Sequence, residues 1–191
     1  MSAPEGPEKE YGALTGSFVL RHRELVRQRF GEAALAATLD SLSTAQRSQI
    51  LDVTPLGWIP VSTIEAFFDA LGRVVGRTAE DLHFELGPLA IEHMVRSVWR
   101  ILLRLTSDES LVARVPVFYP KSWNRGRLVA RMVAPGQAEA RLDGWPNVPE
   151  YTVRGLRISL ETTLRLAGRK DIMSSIERHP DGAMIYVRWR S

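Results

Sequence analysis

The spacing of the hydrophobic residues changes near the middle of this chain. Up to about Ser107, apolar residues recur every three or four positions, as they do on one face of an α-helix. Beyond that point RLVARMV and AEARLDGW flank a Pro-Gly turn, as in a β-hairpin. The last run alternates two sets of side chains: Ala183, Ile185, Val187 and Trp189 against Met184, Tyr186, Arg188 and Arg190. These patterns predict an α+β chain with a helical first half, followed by hairpin, helix and hairpin.

Capping and breaking residues predict where the helices of the first half begin and end. A first helix is expected from Gly16 to the stop at Gly31, and a second over residues 33–39. Ser43 or Thr44 is expected to cap the third helix, and Ser62 or Thr63 the fourth, which ends near Gly76. Thr78 is expected to open a further helix. Pro88 then predicts the start of a separate long helix, whose apolar stripe is Ala90, Met94, Val98, Ile101, Leu102 and Leu105.

Length and composition favour one globular domain. The chain has 191 residues, enough to bury a core. Residues 1–12 are rich in proline, glycine and glutamate, so a disordered tail is expected there and a single domain over 13–191. We find neither a secretory signal nor an apolar run long enough to span a bilayer, and we expect a cytoplasmic protein without membrane contact.

Several kinds of chemistry are excluded or disfavoured by residue content. The sequence has no cysteine, which excludes disulfides, thiolate nucleophiles and cysteine-ligated metals. The net charge of +3 comes mainly from arginines interleaved with acidic residues, which does not predict nucleic-acid binding. Nucleophile-elbow, dinucleotide-binding and P-loop motifs are missing. We therefore predict neither an enzyme nor a metal site, and no cofactor is assigned.

The four histidines offer the imidazoles that haem ligation or base catalysis would need. His22 lies on the apolar face of the first helix, and His93 at the edge of the long helix's stripe. Either could face a cavity, but neither has a second ligand at i+4, so packing at a helix contact is the simpler interpretation. His83 and His179 are expected at the surface.

The stretch FYPKSWNRGR, residues 118–127, combines aromatic residues, cations and turn formers. It could bind an anion or line a pocket mouth. We favour a loop whose aromatic residues cover the end of the core before the next strand. Trp58 and Trp145 are each expected to be buried wedges.

The order of several motifs resembles a family found as many paralogues in myxobacteria. These motifs are GSFVLRHRELVRQRFGEAAL, LGWIPVSTIEAFFDAL, ELGPLAIEH, SWNRGRL and the end from YTVRGLRISLETTLRL through MIYVRW. The family is similar in fold to the superfamily of haem nitric-oxide-binding domains, 4-vinyl-reductase domains and TRAPP subunits. That resemblance implies helices packed on a twisted antiparallel sheet. The haem branch has a Y-x-S-x-R motif, whereas Tyr119, Ser122 and Arg125 are spaced by three.

The resemblance implies a non-catalytic cytoplasmic domain in bacterial signalling or regulation, which senses a small apolar ligand or contacts a protein partner. A homodimer is expected. The alternatives are a haem-binding sensor, with His22 or His93 as axial ligand, and a pure dimerisation scaffold. A ligand between helices and sheet is expected to lie near seven side chains: Phe67, Phe68, His93, Met94, Val98, Tyr119 and Trp123.

Overall fold

The computed structural model of the protein describes residues 12–94 and 103–190, which form two compact units. One unit contains the described residues through Ala90 together with Ser122–Asn124. The other contains the described residues of Ile91–Lys121 and those from Arg125 onward. The tail expected over residues 1–12 lies almost entirely outside the described residues, and the single domain over 13–191 stays a prediction.

The first half is helical, as predicted, with a short antiparallel strand pair. Its elements are β1 (Ala13–Thr15), α1 (Gly16–Phe30), α2 (Glu32–Asp40), α3 (Thr44–Asp52), β2 (Trp58–Pro60), α4 (Val61–Val75) and α5 (Ala79–Met94). In the strand pair Leu14 lies opposite Ile59. The core of the first unit includes Val26, Ile50, Phe68, Leu71, Leu82 and Leu86, each at most 1% exposed. Neither three-residue strand was predicted, because so short a segment carries no readable alternation.

Two helix boundaries agree with the capping signals. Ser43 caps α3 in a capping box with Gln46, in which each side chain serves the other residue's main-chain N–H. Gly76 ends α4 in the left-handed conformation, with φ of 70°, where glycine avoids a steric cost.

Two other boundary predictions were wrong. α4 begins at Val61, so Ser62 and Thr63 lie in its first turn, and Thr63 donates to Gln49 at 2.6 Å. Pro88 lies inside α5 rather than at the start of a helix. Burial of Leu82, Leu86 and Ala90 on the same helix offsets the hydrogen bond that proline removes. Val98, Ile101 and Leu102 of the predicted stripe lie outside the described residues.

The second half contains the predicted hairpin, helix and hairpin. Its elements are α6 (Asp108–Ser122), β3 (Arg127–Ala134), β4 (Gln137–Asp143), α7 (Glu150–Leu166), β5 (Lys170–His179) and β6 (Gly182–Arg190). The antiparallel sheet has the order β3-β4-β6-β5, and α7 packs against β5 and β6. One of the two alternating sets of β6, from Ala183 to Trp189, is buried, and Trp145 is fully buried as expected.

Asp108 joins three elements of the second unit. Its carboxylate accepts hydrogen bonds from the Arg169 guanidinium at 2.8 Å and from the Trp189 indole at 3.0 Å. The side chains of Asp108 and Arg169 are 16% and 11% exposed, so solvent screens this ion pair only weakly. The contact ties the start of α6 to β6 and to the end of α7.

Candidate functional site

Two imidazoles flank the ring of Phe68 inside the first unit. The Phe68 centroid lies 5.3 Å from that of His22 and 5.5 Å from that of His83, and Phe67 packs edge-on against Phe68 at 5.9 Å. These residues come from α1, α4 and α5. His83 is only 4% exposed, so its predicted surface position was wrong. A helix-edge position in the sequence does not show on which side a third helix packs.

His22 is held as a neutral imidazole. Burial lowers its pKa from 6.5 to about 4, although the Phe18 carbonyl, which favours the proton, opposes this effect. Nδ1 lies 2.9 Å from that carbonyl oxygen. Since a carbonyl can only accept, Nδ1 carries the proton and donates. Nε2 is buried and has no hydrogen-bond partner among the described residues. The packed interpretation of His22 therefore agrees with its surroundings.

The first five residues of FYPKSWNRGR are helical, so the loop interpretation was wrong for them. α6 continues to Ser122 despite Pro116 and Pro120. The Tyr119 side chain is 5% exposed, and its hydroxyl donates to the main-chain carbonyl of Arg125. Burial raises the pKa of Tyr119 above its ordinary value, so the hydroxyl stays protonated and remains a donor. The end of the helix thereby fixes the turn that precedes β3.

Trp123 and Asn124 continue this stretch within the first unit. Trp123 is 6% exposed and forms an isolated antiparallel bridge with Leu14. The Asn124 side-chain oxygen accepts the Ala13 N–H at 2.6 Å, and the Asn124 N–H donates to the Ala13 carbonyl at 3.2 Å. In contrast, Trp58 is 43% exposed, which contradicts its predicted burial. Its short strand leaves the indole uncovered.

The seven expected ligand-site residues fall into different places. Phe67 and Phe68 touch each other in the core of the first unit. Trp123 is buried in that unit, and Tyr119 in the other. His93 and Met94 are exposed at the end of α5. Val98 lies outside the described residues. The ligand site stays a prediction.

Comparisons with known proteins give structural matches only. No family model matches the chain, and no curated protein gives a significant match. The structure of the Fe(II) unliganded H-NOX protein from K. algicida superposes with a TM-score of 0.70 at 12% identity, covering 93% of this chain and 97% of that one. The S. oneidensis H-NOX protein in the Fe(II)NO ligation state gives 0.67 at 10% identity, covering 93% and 100%. This chain has an H-NOX-like fold.

Haem is the group named for the solved H-NOX family, and the buried histidines of this chain do not fit it. An axial imidazole needs open space beside it for a flat macrocycle. His22 and His83 are 5% and 4% exposed, and Phe68, which both contact, is 1% exposed. A void wide enough for a porphyrin would leave part of these rings uncovered. His93 is exposed at the end of α5, and residues 95–102 beyond it lie outside the described residues.

An open groove of about 600 Å³ lies where α4 turns into α5. Its charged lining consists of Asp69, Arg73, Arg77 and Asp81. Arg77 also pairs with Glu85. The Glu85 carboxylate accepts a second hydrogen bond from Arg29 at 2.9 Å. These two hydrogen bonds, with that from Arg77 the larger cause, lower the pKa of Glu85. Glu85 thus forms ion pairs with two arginines. This groove was not predicted from the sequence; the feature that could have indicated it is the arginines and glycines between the two helices.

The described residues of this H-NOX-like chain contain neither a candidate membrane span nor a clustered set of metal ligands. No helix there is both long and apolar enough to cross a membrane. Within the same ranges, no group of three acidic, histidine or cysteine side chains is arranged to hold a metal ion.

Proposed function

We propose that this chain is a non-catalytic regulatory domain that uses the H-NOX-like scaffold for protein contacts, without haem, in bacterial signalling. The observation that carries the proposal is the packing around Phe68. His22 and His83 each contact this ring and are almost fully buried. Haem ligation by either would require the core of the first unit to open, which would cost several buried aromatic contacts.

Protein contact is favoured over a small apolar ligand by the burial of Phe67 and Phe68. They are 2% and 1% exposed, so a ligand at these rings would have to displace core side chains. Close-packed interiors resist such displacement. The H-NOX-like fold supports a regulatory role by analogy with the solved proteins, one of which is in the Fe(II)NO ligation state.

Two finer parts of the proposal rest on sequence resemblance. The order of motifs from GSFVLRHRELVRQRF to MIYVRW supports membership of the myxobacterial paralogous family. A homodimer is proposed by analogy with the superfamily. Light scattering on the purified chain tests the dimer, and a monomer over the whole micromolar range would remove it.

Haem reconstitution tests the central part. The purified chain is incubated with hemin, separated from free hemin, and its absorption spectrum is compared with those of His22→Ala and His93→Ala. We expect no stoichiometric Soret band. A one-to-one band that disappears in either variant would overturn the proposal and identify the axial ligand. A weak band that survives in both variants would indicate surface adsorption, in agreement with the proposal.

A further inference from the structure

One face of α6 exposes two large apolar side chains between two cations. Val117 and Phe118 are 57% and 56% exposed. Arg114 and Lys121 are exposed on the same helix, and the Lys121 ammonium lies 5.3 Å from the centre of the Phe118 ring. We call these four residues the α6 patch.

Helix geometry makes the α6 patch compact. Arg114 precedes Val117 by three residues and Phe118 by four, and Lys121 follows them by four and three. Residues at these spacings are neighbours on a helix surface. The two cationic residues are seven positions apart, which is about 10 Å along the axis. An apolar centre is thus bounded by a positive charge at each end.

The two cations have no carboxylate partner among the described residues. Some other exposed arginines of the second unit do have one: Arg131 pairs with Glu139, and Arg141 with Asp143 at 2.7 Å. Two cations without a carboxylate partner, beside exposed apolar side chains, resemble the rim and centre of a recognition surface. An acidic, partly apolar surface would complement both features.

We propose that the α6 patch binds an acidic amphipathic segment of a partner protein, with carboxylates about 10 Å apart on either side of an apolar side chain. This inference rests on the proposed function, because it assigns a surface to the protein contact. A symmetric contact with a second copy is disfavoured, since it would bring cations against cations. An anionic membrane is disfavoured too, because such surfaces attract clusters of about four to eight basic residues.

Peptide selection on the full chain tests this inference. A displayed library of random 16-residue peptides is selected on the wild type and depleted on the double variant Arg114→Glu/Lys121→Glu. We expect the surviving peptides to place Asp or Glu on both sides of an apolar residue. A synthetic peptide of this kind should bind the wild type in a salt-sensitive manner. The double variant should weaken it by at least about tenfold, a change of about 1.4 kcal/mol.

Three further variants make the test specific. Val117→Ser/Phe118→Ser should weaken the peptide similarly, because it removes the apolar centre. Arg73→Glu/Arg165→Glu, which reverses two exposed cations elsewhere, should change the affinity by less than about twofold. A peptide with lysines in place of its acidic residues should regain affinity for Arg114→Glu/Lys121→Glu, which a merely misfolded variant would not show.

Several results would overturn the inference. Selected peptides without acidic residues, or with equal affinity for the double variant, would remove the α6 patch as their site. Binding of phosphatidylserine vesicles that requires Arg114 and Lys121 would assign the patch to a lipid surface. A dimer that the double variant dissociates would assign it to a second copy. Each of these outcomes is independent of the haem spectrum, which tests the proposed function separately.

Discussion

Replacing His22 with asparagine should remove a large part of the acid sensitivity of this protein. The imidazole is buried with a pKa of about 4, against 6.5 as its ordinary value. Between these values the unfolded chain binds a proton that the folded chain does not bind. Stability due to His22 is therefore complete above pH 6.5 and is lost as pH falls from 6.5 to 4.

The size of this loss follows from the two pKa values. The full interval corresponds to about 3 kcal/mol, and lowering the pH from 7 to 5 costs about 2 kcal/mol. Asparagine keeps a donor near the Phe18 carbonyl and does not titrate. His22→Asn should be less stable at pH 7, because the smaller side chain leaves a cavity beside Phe68. Its further loss at pH 5 should be smaller than that of the wild type by about 2 kcal/mol.

Urea unfolding at pH 7 and pH 5 measures this difference, with equal m-values as the condition for comparison. Titratable groups far from residue 22 contribute equally to both proteins and cancel in the subtraction. His93→Asn, which removes an exposed imidazole, is the matched control and should retain the wild-type difference. If wild type and His22→Asn lose the same stability between the two pH values, His22 is not the source of the acid sensitivity.

Two further substitutions test the packing of the second unit by urea unfolding. Gly126→Ala places a methyl group 2.8 Å from a Leu142 side-chain carbon at φ of 75°, and should lower the free energy of unfolding by about 2 to 4 kcal/mol. Its control, Gly76→Ala, at φ of 70° with open space around it, should cost only about 1 kcal/mol. Equal costs would contradict the clash. Asp108→Asn removes the carboxylate that joins α6 to β6 and should cost about 1 to 3 kcal/mol. Its control, Asp171→Asn, breaks an exposed ion pair and should cost less than about 1 kcal/mol. A larger cost for Asp171→Asn would contradict the joining role of Asp108.

The α+β class and the closing hairpin, helix and hairpin could be predicted because the signals are local. The alternation from Ala183 to Trp189 follows from a strand with one covered face, so it can be read from the strand alone. The Ser43 capping box depends only on two residues three positions apart. The extent of α6 could not be predicted in this way. Pro116 and Pro120 are ordinary helix breakers. The burial of Leu111, Val112 and Tyr119 on this helix depends on residues that are distant in the sequence.

The candidate site was predicted less completely than the fold. Phe67 and Phe68 lie on a strongly periodic helix, which is enough to predict their burial but not their neighbours. The contact of Phe68 with His22 and His83 depends on how three helices cross, and no spacing within one helix contains that information. The exposed pair Val117 and Phe118 was missed because no helix was predicted over residues 108–117 and residues 118–127 were taken for a loop.

β1 is paired with residues that the ribosome makes much later, Trp123 and Asn124, so these contacts form late during synthesis. The Ala13 N–H pairs with the side chain of Asn124, 111 residues further along, and Trp123 bridges to Leu14. At about 5 to 20 residues per second, a ribosome needs on the order of ten seconds to make the intervening chain. The first unit therefore spends this time without the segment that covers β1. A nascent chain that stops after Ala90 should be more sensitive to protease at β1 than one that includes Asn124.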